Sequence, residues 1–222
     1  MFEKQPQDLR TKVKELADRF VLQDDPSGWF DLLYTDARGD ADRIPWARLT
    51  VHPALQDWLD VRQPQGEGKS ALVIGCGLGD DAEALSNLGF QVTAFDISPT
   101  AIEWCRQRFP DSAVNYTVAD LFNPDSAWVN AFDLVFESRN LQALPVNVRS
   151  RAIDAIVPLI APGGTLLVFT RYRDTDAKPD GPPWPLSETE LDRFRELGLT
   201  EICRDSFPHS DTIQQFRIEY RN

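Results

Sequence analysis

The sequence predicts an α/β fold, a largely parallel sheet covered by helices on both faces, and three observations carry that expectation. From residue 70 onward, short apolar runs alternate with helical patterns, as strands joined by crossover helices do. The first apolar run passes through Gly75-Cys76-Gly77-Leu78-Gly79 straight into a helical pattern. Acidic residues then stand at or just past the ends of later strands, at Asp96, Asp120 and Glu137.

Residues 6–20 place Leu9, Val13, Leu16 and Phe20 at helical spacing, and a second short helix covers 29–34. A polar stretch over 36–43 ends at Ile44-Pro45-Trp46. Pro53 opens a further helix with Leu55, Trp58, Leu59 and Val61 on its buried side. Residues 63–69 are rich in glycine and charge and read as a linker. Beyond it the spacing predicts strands over 71–74, 91–95, 114–118, 132–136 and 165–170. Helices are expected over 80–88, 100–109, 148–160 and 186–197. Residues 200–204 and 215–220 close the sheet as an antiparallel pair. Residues 1–68 thus form an N-terminal helical cap segment, and 69–222 one compact domain.

Composition narrows the function classes. The 222 residues are 42% hydrophobic and 26% charged, with a net charge of -12. Phosphate backbones repel such a chain, so nucleic acid is not an expected partner. No apolar run approaches a membrane span, and Met1-Phe2-Glu3-Lys4-Gln5-Pro6 lacks an apolar signal core; the reading is cytoplasmic. Cys76, Cys105 and Cys203 are scattered, and only His52 and His209 are present, so no metal site is expected.

The glycine spacing separates two ligands. A dinucleotide site requires G-x-G-x-x-G and a pyrophosphate at the helix start. Here the third glycine comes one residue early, and Asp80 and Asp81 follow it. Two carboxylates would repel a pyrophosphate. They suit a ligand without phosphate that carries positive charge, such as S-adenosylmethionine with its sulfonium and ammonium. The other reading of Asp81 is a helix cap. Asp96 ends the second strand, where a carboxylate accepts from both ribose hydroxyls; Ile97 beside it suits an adenine face. Asp120 is placed to accept the adenine amino group, with Leu121 or Phe122 over the ring. An Asp after a strand also caps turns. Glu137, Ser138 and Asn140 leave the fourth strand toward the crevice, or else form a solvated loop with Arg139 in an ion pair.

Together these residues resemble the class I S-adenosylmethionine-dependent methyltransferases. The likeness covers residues 70–172 and rests on Val73-Ile74-Gly75-Cys76-Gly77-Leu78-Gly79, Phe95-Asp96, Ala119-Asp120, Phe132-Asp133-Leu134-Val135 and Leu159-Ile160-Ala161-Pro162-Gly163-Gly164-Thr165. It implies a Rossmann-like, seven-stranded sheet whose last strand is antiparallel. It assigns the Gly75–Gly79 loop, with Gly75, Cys76, Gly77 and Gly79, to the methionine part of the cofactor, Asp96 to ribose and Asp120 to adenine; Asp80 beside the loop, Ile97, Leu121 and Phe122 are the further cofactor contacts expected. Within that class the chain is most similar to the thiopurine and thiol methyltransferase branch, through Trp29, Ile44-Pro45-Trp46 and Leu141-Gln142-Ala143-Leu144-Pro145 followed by Arg149. There the N-terminal segment folds over the cofactor, which brings Trp29 to it. An Asp-Arg-Gly-type run common in that branch is replaced here by Glu137-Ser138-Arg139.

The activity so implied is methyl transfer to a small-molecule acceptor. Such a displacement relies on proximity and orientation. A thiol near pKa 8.5 supplies some thiolate unaided, whereas oxygen needs a base or metal. No histidine lies in a matched motif, which favours sulfur. Glu137 is the one motif-borne candidate base and a cofactor contact. Trp46, Asn140 and Trp184 are assigned to the acceptor, and Trp58, Trp104 and Trp128 to the core. Residues 173–186 are expected to form a mobile lid carrying Trp184, or to be anchored by it. Two other readings remain: a nicotinamide-dependent oxidoreductase, and a non-catalytic S-adenosylmethionine-binding protein. Oligomeric state is not legible.

Overall fold

The structure is a computed structural model that describes residues 7–22, 25–179, 181–210 and 213–222. Its centre is a seven-stranded sheet of order β3-β2-β1-β4-β5-β7-β6. The strands are β1 (Ser70–Ile74), β2 (Gln91–Asp96), β3 (Asn115–Val118), β4 (Phe132–Ser138), β5 (Ile160–Tyr172), β6 (Thr200–Ser210) and β7 (Ile213–Arg221). β1 to β5 are parallel; β7 runs antiparallel to both β5 and β6. The chain order reverses at β1, whose neighbours are β2 on one side and β4 on the other, so a crevice opens at the carboxyl ends of these strands.

Alternation along the strands builds two cores. Leu72, Ile74, Val135, Leu166 and Val168 face α6 (Val146–Ile156) and α7 (Glu188–Glu196). Ala71, Val73, Leu134, Phe136 and Leu167 face α3 (Pro53–Arg62), α4 (Asp80–Asn87) and α5 (Pro99–Arg108). Local chemistry starts these helices. Ser98 accepts from Ala101 N and Pro99 follows at the first position of α5. Ser187 and Glu190 form a capping box at α7. The segment ahead of the sheet, with α1 (Gln7–Val21) and α2 (Trp29–Ala37), builds a third cluster. Val13, Ala17, Trp29, Leu33 and Tyr34 pack there on Leu78 and Ala101.

The structure corrects several sequence expectations. Helix α6 ends at Ile156 and a tighter turn covers Val157–Leu159, because Pro158 cannot continue a helix. Val61 is exposed, at 68%; Ala54, Leu55, Trp58 and Leu59 form the buried side of α3. Trp58 is buried, whereas Trp104 and Trp128 are half-buried against the cores. Both closing strands run past the expected ends, as does β5. Residues 1–6, where a signal core was sought, lie outside the described residues. No helix among the described residues is long and apolar enough to cross a membrane, and none of their side chains cluster as a metal site.

Candidate active site

The loop leaving β1 turns on three left-handed glycines, Gly75 (φ 56°), Gly77 (φ 56°) and Gly79 (φ 91°). Two of them are also crowded. A Cβ on Gly75 would fall on the Asn140 side-chain oxygen, and one on Gly79 would come within 2.5 Å of the Tyr116 hydroxyl. Without side chains the loop forms one wall of a cavity of ≈ 200 Å³ at the crevice. Gly75, Cys76, Gly77 and Gly79 all line it.

Asp96, at the end of β2, lines the same cavity. One carboxylate oxygen accepts from Gly77 N at 3.0 Å and the other from Ser98 N at 3.0 Å. Burial pushes the carboxyl up to about 6, against the opposing pull of the Ser98 and Gly77 amides. Each oxygen retains a lone pair for a ligand donor. Asp120, Ile97, Leu121 and Phe122 form the next part of the wall, and the Asp120 carboxylate accepts from Phe122 N at 2.9 Å. These residues fit an adenosine without phosphate: a glycine cradle, two acceptor carboxylates and an apolar face.

The cap segment closes the cavity from above. Asp31 of α2 accepts from Ser98 Oγ at 2.6 Å and from Thr100 N at 3.2 Å, which pins α2 to the start of α5. Trp29, Phe30, Tyr34 and Trp46 line the cavity as a continuous aromatic wall. Trp29 and Phe30 stack at 4.0 Å, Trp46 meets both edge-on, and Trp46 donates to the Tyr34 hydroxyl at 2.7 Å. Tyr34 and Asp31 carried no signal in the sequence. Asp31 acts through a contact 67 residues away, with Ser98, and Tyr34 through the fold of the cap onto Trp46 and Trp104.

Asp80 and Asp81 divide their tasks. Asp80 pairs in two-pronged fashion with Arg108, both contacts at 2.8 Å, so its charge is already matched, although it borders the cavity. Asp81 accepts from His52 N at 2.7 Å rather than capping its own helix, and burial pushes its carboxyl up to about 6. His52 lines the cavity too. Its Nδ1 accepts from Ala54 N at 3.2 Å, so in the neutral ring the proton sits on Nε2. Burial, helped by Arg139 and Arg48, pushes this imidazole down to about 3. It is a neutral donor and not a base.

The exit of β4 corrects the assignment of Glu137. Ser138, Arg139 and Asn140 line the cavity, and Glu137 does not. Its side chain is fully buried and accepts from Asn140 N at 2.6 Å and Leu141 N at 3.0 Å. Asn140 in turn donates to Ile74 O at 2.7 Å. Glu137 therefore clasps the turn that seats Asn140 on the glycine loop, and touches no ligand space. The reason is the turn itself: Arg139 adopts a left-handed φ of 69°, which folds the chain back over the Glu137 carboxylate. Burial pushes this carboxyl up to about 7. Since the folded value lies above the ordinary 4.5, the stability it contributes is complete below about pH 4 and is lost as the pH rises through 7. The variant Glu137→Gln keeps the shape and is expected to hold turnover within about threefold while flattening that pH dependence of melting. A fall in kcat of about 100-fold or more, the range of a lost general base, would restore Glu137 as the base.

Trp184 is likewise corrected. Its ring is 6% exposed and belongs to the cluster beneath the cap, while Pro182 and Pro183 reach the cavity wall in its place. Its amide donates to Gln142 O at 2.8 Å, and its carbonyl accepts from Arg149. Arg149, 1% exposed, also pairs with Glu190 at 2.7 Å, and Glu190 pairs with Arg173 at 2.6 Å. Both ends of the 173–186 segment are thus tied to the sheet and α7; Asp180 lies outside the described residues.

Comparison with known proteins accords with this geometry. The family model of thiopurine S-methyltransferase (TPMT) matches residues 31–215. A probable thiol methyltransferase 2 of Arabidopsis thaliana is 27% identical over 185 residues, covering 81% of this chain and 76% of that one. A thiopurine S-methyltransferase of Legionella pneumophila (strain Corby) is 26% identical over 165 residues, covering 67% and 73%. Among solved structures, the N-methyltransferase NodS from Bradyrhizobium japonicum WM9, in complex with S-adenosyl-L-homocysteine, superposes with a TM-score of 0.66 at 25% identity. That alignment covers 86% of this chain and 98% of NodS.

Proposed function

Because the chain belongs to the thiopurine S-methyltransferase family and is an S-adenosylmethionine-dependent methyltransferase, we propose that it methylates the sulfur of a small-molecule thiol. The observation that carries sulfur is the absence, among the described residues on the cavity wall, of a base fit for a weakly acidic hydroxyl. His52 is held neutral as a donor, and Glu137 faces away from the cavity. A thiol needs less help, since it ionises near neutral pH. The thiol and thiopurine methyltransferases among its relatives point the same way.

When bound, S-adenosylmethionine supplies a methyl group on a sulfonium that already has a good leaving group. The residues of this chain orient the two partners. In this reading the Gly75–Gly79 loop takes the methionine part, Asp96 the ribose hydroxyls and Asp120 the adenine amino group, with Ile97, Leu121 and Phe122 over the ring. Trp29, Phe30 and Tyr34 exclude water above it. Trp46, Arg139 and Asn140 border the acceptor. Asp81 is engaged by the His52 amide, so the acceptor reacts as the thiolate that a thiol supplies unaided. Residues 1–68 act as the cap and 69–222 as the catalytic domain. We place the enzyme in the cytoplasm, where Cys76, Cys105 and Cys203 persist as free thiols.

Incubation with labelled S-adenosylmethionine and a panel of thiols, phenols, amines and halide ions tests this reading. Methyl thioethers are the expected products. Label transferred to phenols or amines alone, with no thiol accepted, would sink it.

A further inference from the structure

The acceptor side of the cavity holds a group of buried donors that no part of the fold uses. His52 Nε2, Arg48 Nε and Arg139 Nε are all buried and have no hydrogen-bond partner among the described residues. All three residues line the one cavity. Two of them rest on the same ring: His52 lies 4.2 Å from Phe169, centroid to centroid, and the Arg139 guanidinium lies 5.1 Å from that centroid. Phe169 is on β5, and Arg139 N donates to its carbonyl at 2.9 Å. The group therefore sits over β4 and β5. Asp96 and Asp120 mark the adenosine side over β2 and β3, on the far side of the glycine loop.

Buried donors are nearly always paired, so three on one wall mark the place where something else supplies the acceptors. Charge says what kind of group this is. The chain carries a net -12, yet this corner is cationic. Neither Arg48 nor Arg139 forms an ion pair among the described residues; Arg139 rests on the Phe169 ring and donates to Gln215 at 3.3 Å. The nearest acid, Asp81, is engaged by the His52 amide. Burial, and then the neighbouring charges of Arg171 and Arg48, lower Arg139 to about 10, against the pull of Asp81; Arg139 still carries its charge at neutral pH. Arg139 is held with a left-handed backbone, a conformation that a non-glycine residue keeps where the surroundings enforce it.

We propose that the methyl acceptor carries a carboxylate, and that Arg48, the Nε2–H of His52 and Arg139 bind it over β4 and β5. A planar guanidinium fork and an N–H donor match the in-plane lone pairs of a carboxylate. The carboxylate so held leaves the other end of the acceptor to reach toward the glycine loop, where the methyl group is delivered. This rests on the reading of the enzyme as a thiol methyltransferase, and deepens it to acidic thiols.

Two matched pairs of acceptors test the inference: 4-(sulfanylmethyl)benzoate against its primary amide, and 3-sulfanylpropanoate against 3-sulfanylpropanamide. Each pair keeps the thiol and the shape and changes only the charge. The acids are expected to show kcat/KM values about 10- to 100-fold above their amides, the range for charge-assisted hydrogen bonds. In Arg48→Gln and Arg139→Gln that preference should shrink toward parity, with S-adenosylhomocysteine affinity retained as the check on folding. Amides that match or outrun the acids in the unaltered enzyme overturn the proposal. So does an equal loss for acids and amides in the variants, since the cations would then serve the sulfur. Calorimetry of each acid on the S-adenosylhomocysteine complex separates this from the parent reading. Binding of acid over amide without turnover keeps the carboxylate site and removes the thiol reaction; turnover of thiols without acid preference does the reverse; binding of neither removes the site.

Discussion

Asp96→Ala is expected to weaken S-adenosylmethionine and S-adenosylhomocysteine by about one to two orders of magnitude, from the loss of charge-assisted hydrogen bonds worth on the order of 1.5–3 kcal/mol. In the proposed reading this carboxylate, at the carboxyl end of β2 on the cavity wall, accepts from both ribose hydroxyls. Its two oxygens already accept from Gly77 and Ser98, so alanine also loosens the clasp between β2 and the glycine loop. Asp96→Asn isolates the charge: it keeps an acceptor for one amide and should lose less affinity than alanine. The sign of the pH effect follows from burial. The free protein holds this carboxyl near 6, above its ordinary 3.8, so the fold is favoured by its protonation. That contribution is complete below about pH 4 and is lost as the pH rises through 6. Ligand hydroxyls donate to the ionised form, so cofactor affinity should fall as the pH drops below 6 in the unaltered enzyme and stay flat in Asp96→Asn. Isothermal calorimetry at pH 5 and pH 7.5 measures both. Unchanged affinity in a folded Asp96→Ala protein would leave Asp96 as a loop clasp alone.

The second large effect concerns stability. Trp184→Ala should cost about 3 kcal/mol or more, as truncation of a buried tryptophan does, and lower the melting temperature by roughly 6–12 °C for a chain of this size. The ring is 6% exposed among the residues under the cap, and the backbone on either side of it is held by Gln142 and Arg149. Rebuilding that packing is not possible for a methyl group, so a cavity remains. Cofactor affinity should change little, because Trp184 is not on the cavity wall, and the acceptor KM should move less than the melting temperature. An unchanged melting temperature with a raised acceptor KM would return Trp184 to the role of a lid.

Much of this protein is determined locally. Alternating apolar runs set the strands, and 3.6-residue spacing sets the helices, because each pattern must bury one face of a regular element. Glycine spacing, the two acids after it and the acid ending the second strand lie close together in the chain. Their side chains meet around one crevice whatever the remaining contacts are. That is why the parallel sheet, the antiparallel closing pair and the gathering of Gly75, Gly77, Gly79, Asp96 and Asp120 on one cavity were legible before any coordinates. Helix limits were less so where one residue overrides the pattern, as Pro158 does.

The tertiary structure alone decided what meets across the chain. Glu137 follows the fourth expected strand and Asp81 opens the helix after the glycine loop, and nothing local tells which faces the cavity. A left-handed Arg139 turns the backbone over Glu137 and hides it, while the cap lays His52 against Asp81 and opens that one to the site. Trp184 was placed between prolines that suit an exposed arm, yet hydrogen bonds from Arg149 and to Gln142 turn its ring inward. The donors on the acceptor side come from the cap, at Arg48 and His52, and from the exit of β4, at Arg139. They are separated by about 90 residues of chain, so no spacing rule relates them. Only the closure of the cap over β4 and β5 brings them onto one wall, with Phe169 beneath.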